Sequence, residues 1–284
     1  MKNNLKTLVL LGALAGLMVG FGQLLGGRSG AVIGFGLAAA MNFGSYWFSD
    51  KIALKMSKAT PVSREQAPEL YEIVEDLTRK ADLPMPTLHM VPSDQPNAFA
   101  TGRNPEHAAV AVTEGIMRIL NRDELEGVLA HELSHVKNRD ILTTSIAAAI
   151  AGGISLLATM ARWGAIFGGG GDDDEGGGIA AVLVASIVAP LAAMVVQMAI
   201  SRSREFQADA SGAEVCGHPE ELASALRKIE AGARQTPMAV NPSAAPLFII
   251  NPLRGVFAQG VARMFMTHPP TEERIQRLEA MARR

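Results

Sequence analysis

RDELEGVLAHELSHVK, residues Arg122–Lys137, runs through the three residues NRD into ILTTSIAAAIAGGISLLATMA, residues Ile141–Ala161. The first stretch sets Leu125, Val128, Leu129 and Val136 at helical spacing, with Asn121 in the N-cap position, and reads as an amphipathic helix. The second carries no charge over about twenty positions, the length that a bilayer core demands of a helix. Within the first stretch, His131 and His135 stand one turn apart and project from nearly one side, with Glu132 beside them. Two imidazoles so placed can reach one zinc ion, and Glu132 lies where a carboxylate can take a proton from a zinc-activated water. A metal-binding helix that leads directly into an apolar span puts its chemistry at a membrane surface.

Working outward, three more segments lack charge: about Leu8–Leu25, Ala31–Phe48 and Ile179–Ile200. Gly12, Gly16 and Gly20 form a small-residue stripe that lets membrane helices approach closely. A cleavable signal peptide is the alternative for the first segment. No Ala-x-Ala-like site follows it, however, and a second span begins almost at once. The last two segments could be buried core helices, but their length and uninterrupted apolarity favour spans. Lys2, Lys6, Lys51, Lys55, Lys58, Lys137, Arg139, Arg202 and Arg204 flank the span ends on one side, which predicts that both termini and the segment 49–140 face the cytoplasm. The other side carries the loop Gly168–Gly178, whose Asp172, Asp173, Asp174 and Glu175 read as a solvated hairpin tip rather than a calcium site.

The rest of the composition agrees. The chain has 284 residues, 48% apolar, 5% aromatic and 19% charged, which excludes a disordered chain. A net charge of −2 argues against nucleic acid as a partner. The single cysteine, Cys216, excludes an intramolecular disulfide framework and reads as a buried thiol.

The soluble part is predicted to be α+β. Ser63 and Gln66 make a capping-box pattern before Leu70, Ile73, Val74 and Leu77. Thr87–Val91, Ala98–Thr101 and Ala108–Thr113 read as three short strands, the last two joined as a hairpin. Helices are expected at about Arg202–Val215, Glu220–Ala231 and from Thr271 onward, with Thr271 as a cap, and Gln235–Pro252 reads as irregular. The organisation is then two transmembrane helices over 1–50, a first domain piece over 51–140 with His-Glu-x-x-His, a transmembrane hairpin over 141–200, and a second piece over 201–284 with the third ligand. His89 and His107 are expected to be partly exposed, and His218 to be structural. The third ligand is Glu205 or Asp209, four residues apart on one helical face. One carboxylate can bind the metal while the other accepts an N–H from a ligating imidazole.

His131-Glu132-x-x-His135 with Glu205-x-x-x-Asp209 and four spans resembles the HtpX family of membrane zinc metallopeptidases, gluzincin-type enzymes related to the CAAX prenyl endoproteases. Asp123-Glu124-Leu125-Glu126, Asn97-Ala98-Phe99-Ala100-Thr101-Gly102 and His268-Pro269-Pro270-Thr271 extend the likeness along the chain. The resemblance implies an α-helical membrane protein with a zincin-like catalytic domain and one zinc ion held by His131, His135 and Glu205. It implies Glu132 as general base, Asp209 behind a ligating histidine, and His268 with Arg274 supporting the transition state. Asn97, Ala98, Phe99 and Ala100 would lie on an edge strand to which an extended substrate adds. The expected activity is an endopeptidase of the bacterial inner membrane that cleaves membrane or misfolded proteins on the cytoplasmic side, in protein quality control. Its partners are protein substrates and the lipid bilayer. A chaperone-like protein with a structural zinc is the alternative that Glu132 argues against. A transporter is disfavoured because the spans hold no Asp, Glu, Lys or His.

Overall fold

The N-terminal apolar sequence forms helix α1, Lys2–Met56, but not as a straight rod. Gly27 has φ +56°, a conformation that L side chains avoid. Beyond it the chain comes back on itself, so that a Cβ on Gly34 would stand 2.3 Å from the Met18 carbonyl oxygen. The two expected N-terminal segments are the limbs on either side of this turn. This is a computed structural model that describes residues 2–146, 202–236, 247–250 and 269–283. Among the described residues no single helix is long and apolar enough to cross a membrane. One pair bent by 70°, Gly27–Gly44 with Tyr46–Met56, passes by length and composition. Val32, Ile33, Phe35, Leu37, Phe43, Trp47 and Phe48 are exposed along this second limb. Of the third expected span only 141–146 is described, and it is helical; the remainder, the fourth span and the acidic loop lie outside the described residues.

The sheet has four strands rather than three, in the order β1-β2-β4-β3: β1 Thr60–Pro61, β2 Thr87–Val91, β3 Ala98–Gly102 and β4 Ala108–Thr113. Two residues are too few to show a strand period, which is why β1 escapes a reading of alternation, and Pro61 confines it to an edge. β2 runs parallel to β4, from Thr87↔Ala109 to Val91↔Thr113. β3 and β4 form the expected hairpin, Ala98↔Val112 to Gly102↔Ala108, and leave β3 on the other edge. His89, expected to be partly exposed, is buried on β2, where burial lowers its pKa.

Helix α2, Pro68–Ala81, buries Leu70, Ile73, Val74 and Leu77 as expected, but its start differs. The Gln66 side chain accepts from the Ser63 N–H at 2.8 Å in a turn before the helix, which begins with Pro68. A short helix α3, Glu114–Ile119, follows β4 directly, capped by the Thr113 hydroxyl, and was not anticipated. Helix α4, Arg122–Lys137, matches its expected bounds and has a full capping box: Asn121 Oδ1 accepts from the Glu124 N–H at 2.8 Å, and Glu124 Oε2 from the Asn121 N–H at 3.0 Å. Glu124 also accepts from Lys228 Nζ and Ser224 Oγ, both at 2.7 Å. Those partners lie on helix α6, Pro219–Gln235, which follows helix α5, Arg202–Cys216. The last helix, α7, spans Thr271–Ala282, with Pro270 rather than Thr271 as its N-cap.

α4 is buried on nearly every side, not only along one stripe. It packs against α2, α5, α6 and β3. Leu70, Val110, Leu129, Ala213, Leu226 and Leu278 therefore share one core, drawn from chain segments before 141 and after 201. Cys216 is a buried thiol of that core, whose pKa burial raises.

Candidate metal centre

α4 and α5 touch backbone to backbone. A Cβ on Gly212 would lie 2.8 Å from His131 N and 2.9 Å from His131 Cα, so only glycine permits this approach. It brings Glu205, seven residues earlier on α5, over the two histidines of α4. His135 Nε2 is 3.2 Å from His131 Nε2 and 3.7 Å from Glu205 Oε1, and His131 Nε2 is 3.9 Å from Glu205 Oε2. One ligand atom from each of His131, His135 and Glu205 lies within 4.8 Å of the others, a group that can hold a metal ion. Two imidazole nitrogens and one carboxylate oxygen are the donor set of a catalytic zinc site with a position left for water. The residues fit the metal.

Each histidine has an aspartate behind it. Asp209 Oδ1 lies 2.9 Å from His131 Nδ1. Arg274, 1% exposed, grips Asp209 with two arms, Nε to Oδ2 at 2.9 Å and Nη2 to Oδ1 at 2.7 Å. Burial would push the Asp209 carboxyl up, but the Arg274 charge and the His131 contact outweigh it and hold it well below the usual carboxylate range. Arg274 Nη2 is also 3.3 Å from His131 Nε2, and its Nη1 donates to the Ile249 carbonyl at 3.1 Å.

The aspartate behind His135 is Asp140, whose Oδ2 lies 3.2 Å from Nδ1. Burial disfavours a His135 cation, yet Asp140, Glu205 and Glu132 outweigh burial and push the imidazole up to about 10. A site that favours positive charge this strongly suits a metal cation, which must displace the proton to bind. Asp140 escaped the sequence reading. The one signal was an acidic residue in the turn between α4 and the apolar segment that follows it.

Glu132 is buried, and its Oε2 accepts from the Ala100 N–H on edge strand β3 at 2.8 Å. Of the four residues expected to meet substrate, Ala100 is thus the one beside Glu132. Asn97 and Ala98 are engaged elsewhere: the Ala98 carbonyl accepts from the Ile249 N–H at 2.9 Å, and Asn97 Nδ2 donates to the Ile250 carbonyl at 2.7 Å. Phe99 is fully buried, with its ring 5.0 Å from that of Phe248. Nothing in a proline-rich stretch advertised that Phe248–Ile250 would lie along this edge. His268 lies outside the described residues.

Comparison with known proteins agrees with this geometry. The family model described as peptidase family M48 matches residues 64–282. A "Protease HtpX homolog" of Pelotomaculum thermopropionicum is 55% identical over 282 residues, covering 99% of both chains. Another from Pyrococcus furiosus is 54% identical over 278 residues, covering 98% of this chain and 95% of that one. Among solved structures, S. mikatae Ste24p shares the fold with a TM-score of 0.52 at 19% identity; the match covers 98% of this chain and 66% of that one. Two histidines and a glutamate converge where a protease family aligns from end to end, and the chain belongs to peptidase family M48, among the HtpX-like proteases, as a metallopeptidase.

Proposed function

We propose that the chain is a membrane-embedded, zinc-dependent endopeptidase that cleaves membrane or misfolded proteins on the cytoplasmic side, with His131, His135 and Glu205 as zinc ligands. The observation that carries this reading is the convergence of the three ligand atoms within 4.8 Å, one residue from a glutamate held against an edge strand. When bound, zinc supplies Lewis acidity that brings the deprotonation of water near neutral pH. Glu132 takes that proton and can return it to the leaving amine. Asp209 accepts the Nδ1–H of His131 and so fixes the tautomer that offers Nε2 to the metal. Arg274 serves the site through Asp209, and His268 is the donor assigned to the developing negative charge. An extended substrate pairs with β3 from the Ala100 carbonyl toward Gly102, since Asn97 and Ala98 already have partners and the Ala100 N–H is given to Glu132.

Membrane attachment is supported by the exposed apolar side chains of α1, which form a surface that water does not favour. The first transmembrane pair covers 1–50 and the hairpin 141–200, so that the catalytic pieces 51–140 and 201–284 meet at the inner face of a bacterial inner membrane. Metal analysis with casein cleavage by the detergent-purified chain tests the proposal. We expect one zinc per chain and cleavage that a chelator abolishes and added zinc restores. Undiminished cleavage by metal-free protein refutes it.

A further inference from the structure

His131 and His135 are backed alike, but only one of their aspartates carries a cation. Asp209 receives both arms of Arg274. Asp140 gives Oδ2 to His135, and its other oxygen, Oδ1, is buried with no hydrogen-bond partner among the described residues. A complementary orphan, not hydrogen-bonded to Asp140, lies on α5. Arg204, on α5 one residue before Glu205, is 9% exposed, and its Nε, Nη1 and Nη2 all lack a hydrogen-bond partner among the described residues. A buried guanidinium without an acceptor is strongly unfavourable, and so is a buried carboxylate oxygen without a donor. The charges of Asp140 and Glu205 both act on Arg204 and oppose the effect of its burial.

We infer that Arg204 is the positioning residue for His135, acting through Asp140 as Arg274 acts on His131 through Asp209. Turning the guanidinium so that one N–H meets Oδ1 gives the carboxylate its donor and Arg204 its first acceptor. It also ties the turn after α4 to the start of α5, beside His135 in the last turn of α4 and Glu205 in the first turn of α5. Each zinc-binding imidazole then sits at the end of its own Arg–Asp–His chain. Spacing does not reveal this role, because Arg204 beside a span end reads as a solvated, topology-setting cation.

The inference rests on the zinc-site reading, and the experiment separates the two. Zinc affinity of the full chain in detergent is measured by competition with a chromophoric chelator. Arg204→Met and Asp140→Asn are each expected to weaken binding by roughly 10–100-fold, the usual effect of losing a partner behind a ligand. Arg204→Lys, which keeps a cation and guards against a misfolded variant, should recover part of the loss. The double variant Arg204→Met/Asp140→Asn should bind no more weakly than Asp140→Asn alone. Wild-type zinc affinity in Arg204→Met overturns the inference, as do losses that multiply in full. A raised KM with unchanged zinc binding also overturns it, and makes Arg204 a substrate contact. If His135→Ala binds zinc like the wild type, the ligand assignment itself fails and this inference falls with it.

Discussion

Gly212→Ala adds one carbon and two hydrogens, yet it should disturb the metal centre more than many larger surface changes. The new Cβ would stand 2.8 Å from His131 N, 2.9 Å from His131 Cα and 3.1 Å from the Ala130 carbonyl carbon. All three are backbone atoms in the middle of α4, so no side chain can swing aside. Ordinary contact begins near 3.4 Å, so α5 must back away from α4 by roughly 0.6 Å. Asp209 and Glu205 lie three and seven residues earlier on the same helix and move with it. Ligand distances in a metal site tolerate only about ±0.2 Å, so the displacement should weaken zinc by about 10-fold or more. Overpacking of this kind costs about 1–3 kcal/mol, which for a domain of this size lowers Tm by roughly 2–12 °C. Thermal unfolding of the metal-free chain in detergent reads the packing cost, and chelator competition reads the affinity. Gly36→Ala is the control, since its Cβ meets nothing within 4 Å. Wild-type Tm and zinc affinity in Gly212→Ala would refute the claim that backbone contact between α4 and α5 sets the ligand geometry.

Glu132→Gln should abolish casein cleavage and keep zinc, because it removes a base and not a ligand; zinc loss as large as that of His135→Ala would sink the assignment. Glu205→Ala should lose zinc, and Asp209→Ala should weaken it by roughly 10–100-fold; the opposite order, by chelator competition, would exchange the roles of the two carboxylates. Glu124 should contribute acid-sensitive stability. Burial would raise its carboxyl, but Lys228, the Asn121 N–H and Ser224 prevail and lower its pKa. Its contribution is therefore complete above the unfolded value of about 4.3 and is lost as pH falls through the folded one, so Glu124→Gln should flatten the acid limb of the stability–pH curve. An unchanged acid limb in Glu124→Gln would remove Glu124 from the account.

What could be read from the sequence was what depends on short-range spacing. The i, i+4 histidines, the Asn121 cap and the short runs of β2, β3 and β4 follow from residues a turn or a strand apart, and the structure places them accordingly. The same local logic misread Ser63 and Gln66, because one side-chain bond can close a turn as readily as it caps a helix. Pro68 supplied a cheaper start for α2, since its fixed φ suits the first helical position and its missing N–H costs nothing there.

Long-range pairing was a different matter. Asp209 and Arg274 are 65 residues apart, and Asn97 and Ile250 are 153 apart; no periodicity joins them. The amphipathic reading of α4 failed for the same reason. Its polar stripe of His131, Glu132 and Ser134 is as buried as its apolar one, because α5, α6 and β3 close over it. A polar stripe that folds inward needs partners for every group: Ser134 donates to the Ala130 carbonyl of its own helix, and the other partners lie on different elements, Asp209 on α5, Arg274 on α7 and Ala100 on β3. That requirement explains why the site must be built from both halves of the chain. It also explains why a single local motif can announce the chemistry while leaving the machinery that orients it hidden until the helices are packed.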